Sequence, residues 1–168
     1  MVSEAKNSGH PWPGYAAAEA SLESAWGKSG LAARDKDVFG LKAANWWDGQ
    51  VDSIVTREVI NGVSKMVMAK WPVFKTYADA FSARLHTLSL IPPRYGEALA
   101  AKTGPEFIRL VSAAWFDPGT EADLNLYPEF DFPSGRWQFN KDVYRWSTAP
   151  NRASEVLAVY NNHPDIFG

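Results

Sequence analysis

Asn61-Gly62 lies between two runs that read as strands, 51–60 and 63–70. Asn-Gly accepts the positive φ that both central positions of a type I′ turn require, and that turn has the twist of paired strands. The sequence therefore predicts a β-hairpin with a two-residue turn, in which Ile60 pairs with Val63 and Glu58 sits opposite Lys65. Side chains alternate along a strand, so Ile54, Thr56, Glu58 and Ile60 share one face. Outside this hairpin the apolar spacing is helical. Helices, one inserted hairpin and then helices again make an α+β arrangement, mostly α, with a small β-hairpin lobe and a cleft between two lobes.

The first helix is expected to start near Pro13, a good first-turn residue, and to stop at Gly27. Tyr15, Ala18, Leu22, Ala25 and Trp26 fall on one face at helical spacing, which predicts that this face packs inward. Residues 29–34 read as a short second helix. Residues 38–42, Val-Phe-Gly-Leu-Lys, read as a tight buried connection in which Gly40 permits close backbone approach. Helices are expected at 78–90, with Phe81, Leu85 and Leu88 inward, at 94–101 after a break at Pro92-Pro93, at 105–115 and at 153–160. Residues 119–150 fit no such pattern. They carry Tyr127, Phe130, Phe132, Trp137, Phe139, Tyr144 and Trp146 among Pro, Asp and Gly, which is too aromatic for a disordered loop.

At 168 residues and 46% hydrophobic, the chain is long enough for one domain, 1–168, with its own core. Lys plus Arg number 17 against 19 Asp plus Glu, so net charge offers no pull toward nucleic acid or an anionic membrane. No apolar stretch is long enough to span a bilayer. The first residues, Met-Val-Ser-Glu-Ala-Lys-Asn, lack the apolar centre of a secretory signal, which leaves a non-classical route or a signal outside this chain. The absence of cysteine removes thiolate nucleophiles, disulfides and zinc-thiolate sites. His10, His86 and His163 are scattered without metal-ligand spacing, so no metal is expected. There is no Gly-Xaa-Ser-Xaa-Gly elbow, P-loop or dinucleotide fingerprint, and no cofactor is expected.

Two carboxylates carry the chemical interest. Glu23 lies at the edge of the apolar face of the first helix, with Ala16 and Ala20 on the adjoining face leaving room for a ligand beside it. Next to Leu22 and Trp26, and partly shielded from water, such a carboxyl keeps its proton to higher pH and can serve as a general acid. The plainer reading is a solvent-facing helix glutamate. Glu19, one turn earlier, is nearer the apolar stripe. Glu58 is the second carboxylate, and its plainer reading is a cross-strand ion pair with Lys65.

The runs Ala18-Glu19-Ala20-Ser21-Leu22-Glu23-Ser24-Ala25-Trp26-Gly27-Lys28-Ser29 and Val38-Phe39-Gly40-Leu41-Lys42 resemble the signature of the glucosaminidase domains of glycoside hydrolase family 73. That pattern is an Ala-rich helix, Leu-Glu-Ser-Gly/Ala-Trp-Gly-Lys-Ser, and then Asn-Leu-Phe-Gly-Ile-Lys. The likeness continues through the strand bearing Glu58, through Phe74-Lys75-Thr76-Tyr77 and Pro93-Arg94-Tyr95, to Trp115-Phe116-Asp117-Pro118, so residues 13–118 match in order and spacing. In the family, the last helix follows the Asp-Pro motif almost at once, which makes 119–150 an insertion of roughly thirty residues before the helix that 152–157 resembles.

The resemblance implies a lysozyme-like fold and hydrolysis of peptidoglycan glycan strands at the bacterial cell wall, by endo-β-N-acetylglucosaminidase chemistry. Glu23 is then the general acid, and Glu58 aligns with the second catalytic carboxylate. Water is activated by Glu58, or the substrate's own 2-acetamido group attacks first. Tyr95 and Trp115 are placed by the resemblance near the cleft; both also suit core packing. Trp115 stands one residue out of step with the family's active-site tyrosine, a position that Tyr144 or Tyr127 of the insertion is open to fill. Trp46 and Trp47 are the candidates for a sugar-subsite wall. A monomer is expected. The competing readings are a muramidase or lytic transglycosylase on the same fold, and a glycan-binding or phage-structural module without catalysis.

Overall fold

The structure, a computed structural model, describes residues 1–60, 63–90, 92–113 and 151–168. Along the chain run α1 (Val2–Asn7), α2 (Pro13–Glu23), α3 (Gly30–Asp35), β1 (Val51–Ile60), β2 (Val63–Pro72), α4 (Tyr77–Ser89), α5 (Pro92–Leu99), α6 (Gly104–Ala113), α7 (Arg152–Asn162) and α8 (Pro164–Phe167). This is the mostly helical α+β order expected, with one two-stranded antiparallel sheet. The hairpin register is the expected one: Ile60 pairs with Val63 and Glu58 with Lys65.

α2 is the central element. Ala16 and Ala20 face one core cluster, with Val38, Phe39, Phe74 and Phe81, while Ala17 and Ala18 face another, with Leu88, Phe107, Ile108 and Val156. A helix squeezed between two cores needs small residues on both sides. Expectation and structure differ here, because the buried surface is not one stripe: Ala25 is exposed and Trp26 is 48% exposed. Near its start, a Cβ on Gly14 would lie 2.0 Å from the Phe167 carbonyl oxygen, so only glycine lets α8 dock there.

α1 was not foreseen from the sequence. Its six residues pack on α2 and α4 and bury Ala5, so tertiary contact rather than intrinsic propensity holds it. α4 starts with a reciprocal capping box: the Asp79 amide donates to Thr76 Oγ1 at 3.1 Å, and the Thr76 amide donates to Asp79 Oδ2 at 2.9 Å. It turns Phe81 and Leu88 fully inward, whereas Leu85 is half-buried. Pro92 and Pro93 open α5 instead of breaking the chain before it, since a first-turn proline loses no helical hydrogen bond. The base of the hairpin is tied to the helical body by Val73 donating to the Gln50 carbonyl and Ala43 to the Lys70 carbonyl, at 2.9 and 2.8 Å.

Candidate active site

Glu23 is the last residue of α2, four positions short of the expected end at Gly27. The helix stops in a Schellman arrangement. The Trp26 amide donates to the Ser21 carbonyl at 2.7 Å and the Ala25 amide to the Leu22 carbonyl at 3.4 Å, with Ala25 taking the left-handed φ of 51° usually given to glycine. Trp26 and Gly27 are left-handed as well, at 60° and 78°. Ser24 Oγ accepts from the Gly27 amide at 2.8 Å and fixes the turn. The carboxyl is thereby delivered at the negative end of the helix dipole, where a charged carboxylate is disfavoured.

The Glu23 side chain is 15% exposed, and its Oε1 is closed to solvent. Burial pushes its pKa up to about 7; Arg152 and Arg84 pull it down, and Glu19 and Glu155 push it further up. Arg152, the first residue of α7, sets Nη2 3.0 Å from Oε1, outside hydrogen-bonding orientation. Glu19, expected nearer the apolar stripe, is indeed deep in the core. There it is committed to a different job, accepting from Arg84 Nη2 of α4 at 2.8 Å, with both side chains buried. Among the two α2 glutamates, Glu23 alone opens on a hollow.

That hollow, of about 460 Å³, is walled by Glu23, the Phe39–Lys42 connection, Trp46 and Thr87. Asp37 shapes the connection. Its Oδ1 accepts from the amides of Phe39 and Leu41 at 3.2 and 3.1 Å. Gly40 is exposed and a Cβ on it would meet nothing within 4 Å, so the expected close backbone approach is not found; what favours glycine there is the left-handed φ of 63°. Asp37 is itself buried, with Oδ2 lacking a hydrogen-bond partner among the described residues, and burial pushes its pKa up to about 6. A second hollow of about 610 Å³ adjoins the first through Trp46 and is walled by Trp46, Trp47, Phe74, Lys75, Asp79 and His86 among others. Trp46 and Trp47 meet edge to face with ring centroids 5.7 Å apart, and Trp47 Nε1 donates to the Gln50 carbonyl at 2.9 Å.

The family described as mannosyl-glycoprotein endo-beta-N-acetylglucosaminidase, the glucosaminidase family, matches residues 1–164. The chain belongs to the glucosaminidase family. Peptidoglycan hydrolase FlgJ of Salmonella typhimurium is 37% identical over 93 residues, 53% of this chain and 29% of that protein. Exo-glucosaminidase LytG of Bacillus subtilis is 35% identical over 71 residues, 42% of this chain and 24% of that protein. The chain thus matches under a third of the length of these relatives. The fold is shared with the glycoside hydrolase domain of Salmonella typhimurium FlgJ, at a TM-score of 0.57 and 22% identity, covering 98% of this chain and 93% of that one. It is shared also with the catalytic domain of the autolysin Auto from Listeria monocytogenes, at 0.66 and 18%, covering 98% and 80%. The mostly helical α+β fold with a small hairpin lobe, expected from the sequence, is the fold shared with these two solved domains.

Within this glucosaminidase domain, Glu23 and Trp46 share one hollow, and Trp47 lines the next. Tyr95 does not join them. At 3% exposed it packs in the core with Leu88, Ala98, Phe107 and Ile108, because α5 turns its ring toward α4 and α6. The Glu58 backbone holds its place opposite Lys65; its side chain, Trp115, Tyr144, Tyr127 and the 119–150 insertion lie outside the described residues. Among the described residues no cluster of three or more His, Asp or Glu is arranged to hold a metal, and no helix is long and apolar enough to cross a membrane.

Sequence reasoning missed Arg84, Asp37 and Arg152. Arg84 had a readable signal: it falls between Phe81 and Leu88 at helical spacing, and a cation on a buried stripe demands a buried anion. Arg152 carried one too, since a cation at a helix N-terminus opposes the dipole unless an anion waits there.

Proposed function

We propose that this domain hydrolyses the glycan strand of peptidoglycan as an endo-β-N-acetylglucosaminidase, with Glu23 as general acid. The observation that carries the reading is a carboxyl whose burial lifts its pKa to about 7, set in the wall of a hollow large enough for a sugar. The FlgJ relatives, named as peptidoglycan hydrolases, support the substrate, and the family description supports the bond. Glu23 gives its proton to the oxygen leaving with the MurNAc residue as the bond from C1 of GlcNAc breaks. Water supplies the hydroxyl that ends on C1, and Glu58 takes that water's proton; direct attack by the 2-acetamido group is the alternative first step. Trp46 and Trp47 offer apolar ring faces for sugars, with Trp46 bridging the acid's hollow to the next one. The site of action is the cell wall.

The test is to digest purified peptidoglycan, reduce the products with borohydride and identify the reduced sugar by mass spectrometry. Reduced GlcNAc is expected. Reduced MurNAc would assign a muramidase, and a non-reducible 1,6-anhydro end a lytic transglycosylase. Binding to cell walls without soluble fragments would refute catalysis and favour a glycan-binding module.

A further inference from the structure

We propose that Arg152 is a positioning residue for Glu23: its guanidinium holds Oε1 as the charge-bearing oxygen and so confines the transferable proton to Oε2. The inference rests on the reading of Glu23 as the general acid. Its geometry is independent of that reading. Arg152 Nη2 stands 3.0 Å from Oε1, and Oε1 is closed to solvent, so a ligand in the hollow can meet only Oε2. A proton placed on Oε1 would face the positively polarised N–H groups of Arg152. A proton on Oε2 leaves Oε1 with the lone pairs and partial negative charge that the guanidinium favours. The contact need not be a well-aligned hydrogen bond to act in this way, because charge at 3.0 Å decides it.

The surroundings reinforce the assignment. Glu23 feels Arg152 and Glu155 from α7, Glu19 from its own helix and Arg84 from α4, and the nearby wall of the hollow includes Lys42. Arg84 is already bonded to Glu19, whereas Arg152 makes the direct approach to Glu23. Arg152 also lies 3.8 Å from Glu155 Oε2, which steadies the guanidinium from the outer side. The acid is carried on α2 and its counter-ion on α7, so the last helices complete a site begun near the N-terminus.

The test uses the carboxyl-carbon NMR titration of Glu23, assigned by its loss in Glu23→Gln, together with kcat and KM on soluble peptidoglycan strands. Arg152→Gln is expected to raise the titration midpoint by about one unit, as removal of a close positive charge requires. The same variant should lower kcat roughly tenfold or more with KM little changed, because the proton is no longer held on the productive oxygen. Arg152→Lys keeps the charge and should titrate close to the wild type. A midpoint unmoved in the Gln variant, or moved equally in the Lys variant, would overturn the proposal. The titration requires no turnover, so a wild-type protein that releases no sugar would count against the hydrolase reading and not against this one.

Discussion

Burying an acid where its charge is disfavoured must weaken the fold once the pH passes the carboxyl's ordinary pKa, and Glu23→Gln measures by how much. The folded pKa of Glu23 is raised from 4.5 to about 7. Below pH 4.5 both folded and unfolded chains hold the proton, and the site costs nothing. As pH rises from 4.5 to 7 the unfolded chain releases its proton first, so stability falls, and it levels off above the folded value. The interval corresponds to about 3 kcal/mol, at about 1.4 kcal/mol per unit. Glutamine does not titrate, so the stability of Glu23→Gln relative to wild type should rise by that amount between pH 4 and pH 8. For a chain of this size that is a change of roughly 6–12 °C in the Tm difference. Removing the partner of Arg152 adds an offset, which is the same at both ends of the range and cancels. Thermal unfolding followed by circular dichroism at each pH is the assay. Parallel Tm curves for the two proteins, or a Gln advantage that shrinks with pH, would refute a buried, proton-holding Glu23.

The other expectations concern the cleft walls. Glu58→Gln should reduce turnover of peptidoglycan strands while Lys65→Ala leaves it intact; equal, mild losses of Tm with normal turnover would make the pair a plain cross-strand contact. Trp46→Ala should raise KM about tenfold, equivalent to about 1.4 kcal/mol of sugar binding, with little change in kcat. Trp47→Ala should lower Tm as well as raise KM, because Trp47 also packs on Phe74 at 5.1 Å and donates to Gln50, and melting curves beside steady-state kinetics separate the two effects. Asp37, raised from 3.8 to about 6, likewise loses stability as pH rises through that window. Asp37→Asn keeps the acceptor for the Phe39 and Leu41 amides and should gain about 1–3 kcal/mol at pH 7, whereas Asp37→Ala should lose both stability and turnover. Denaturant unfolding at pH 4 and pH 7 reads both variants.

Local chemistry was the legible part of this chain. Asn61-Gly62 set the hairpin and its register because a two-residue turn leaves no freedom to slip, and Pro13 marked the start of α2. The end of α2 is where the sequence misleads, because Gly27 has the mark of a helix stop while the structure turns left-handed two residues earlier, at Ala25. Ala25 and Trp26 follow the helical period of the apolar face in sequence, yet the turn carries them out to solvent. α1 escaped for the opposite reason, since six residues have no period to read and exist through contact with α2 and α4. At the candidate site, Glu23 and the two tryptophans are legible in sequence as candidates, and the structure brings them to two adjoining hollows. The charged partners are not legible, because Arg84 and Arg152 reach α2 from distant elements, and local patterns say nothing of which cation meets which anion.

Glu19 and Glu23 show how far that pairing decides the chemistry. They sit one turn apart on one helix, and sequence alone makes Glu19 the more shielded of the two. Glu19 is given a hydrogen-bonded guanidinium 65 positions away at 2.8 Å, and no wall of either hollow includes it. A buried carboxylate so matched is committed to its cation, which would be stranded without it. Glu23 is given a guanidinium at 3.0 Å without bonding orientation, the negative end of α2 and an open hollow. Desolvation then outweighs the attraction of the cation, and the proton stays on to about pH 7. What sets Glu23 apart from Glu19 as the proposed proton donor is therefore the quality of the pairing and access to the hollow, which depend on α4 and α7 and not only on the helix that carries the two carboxyls.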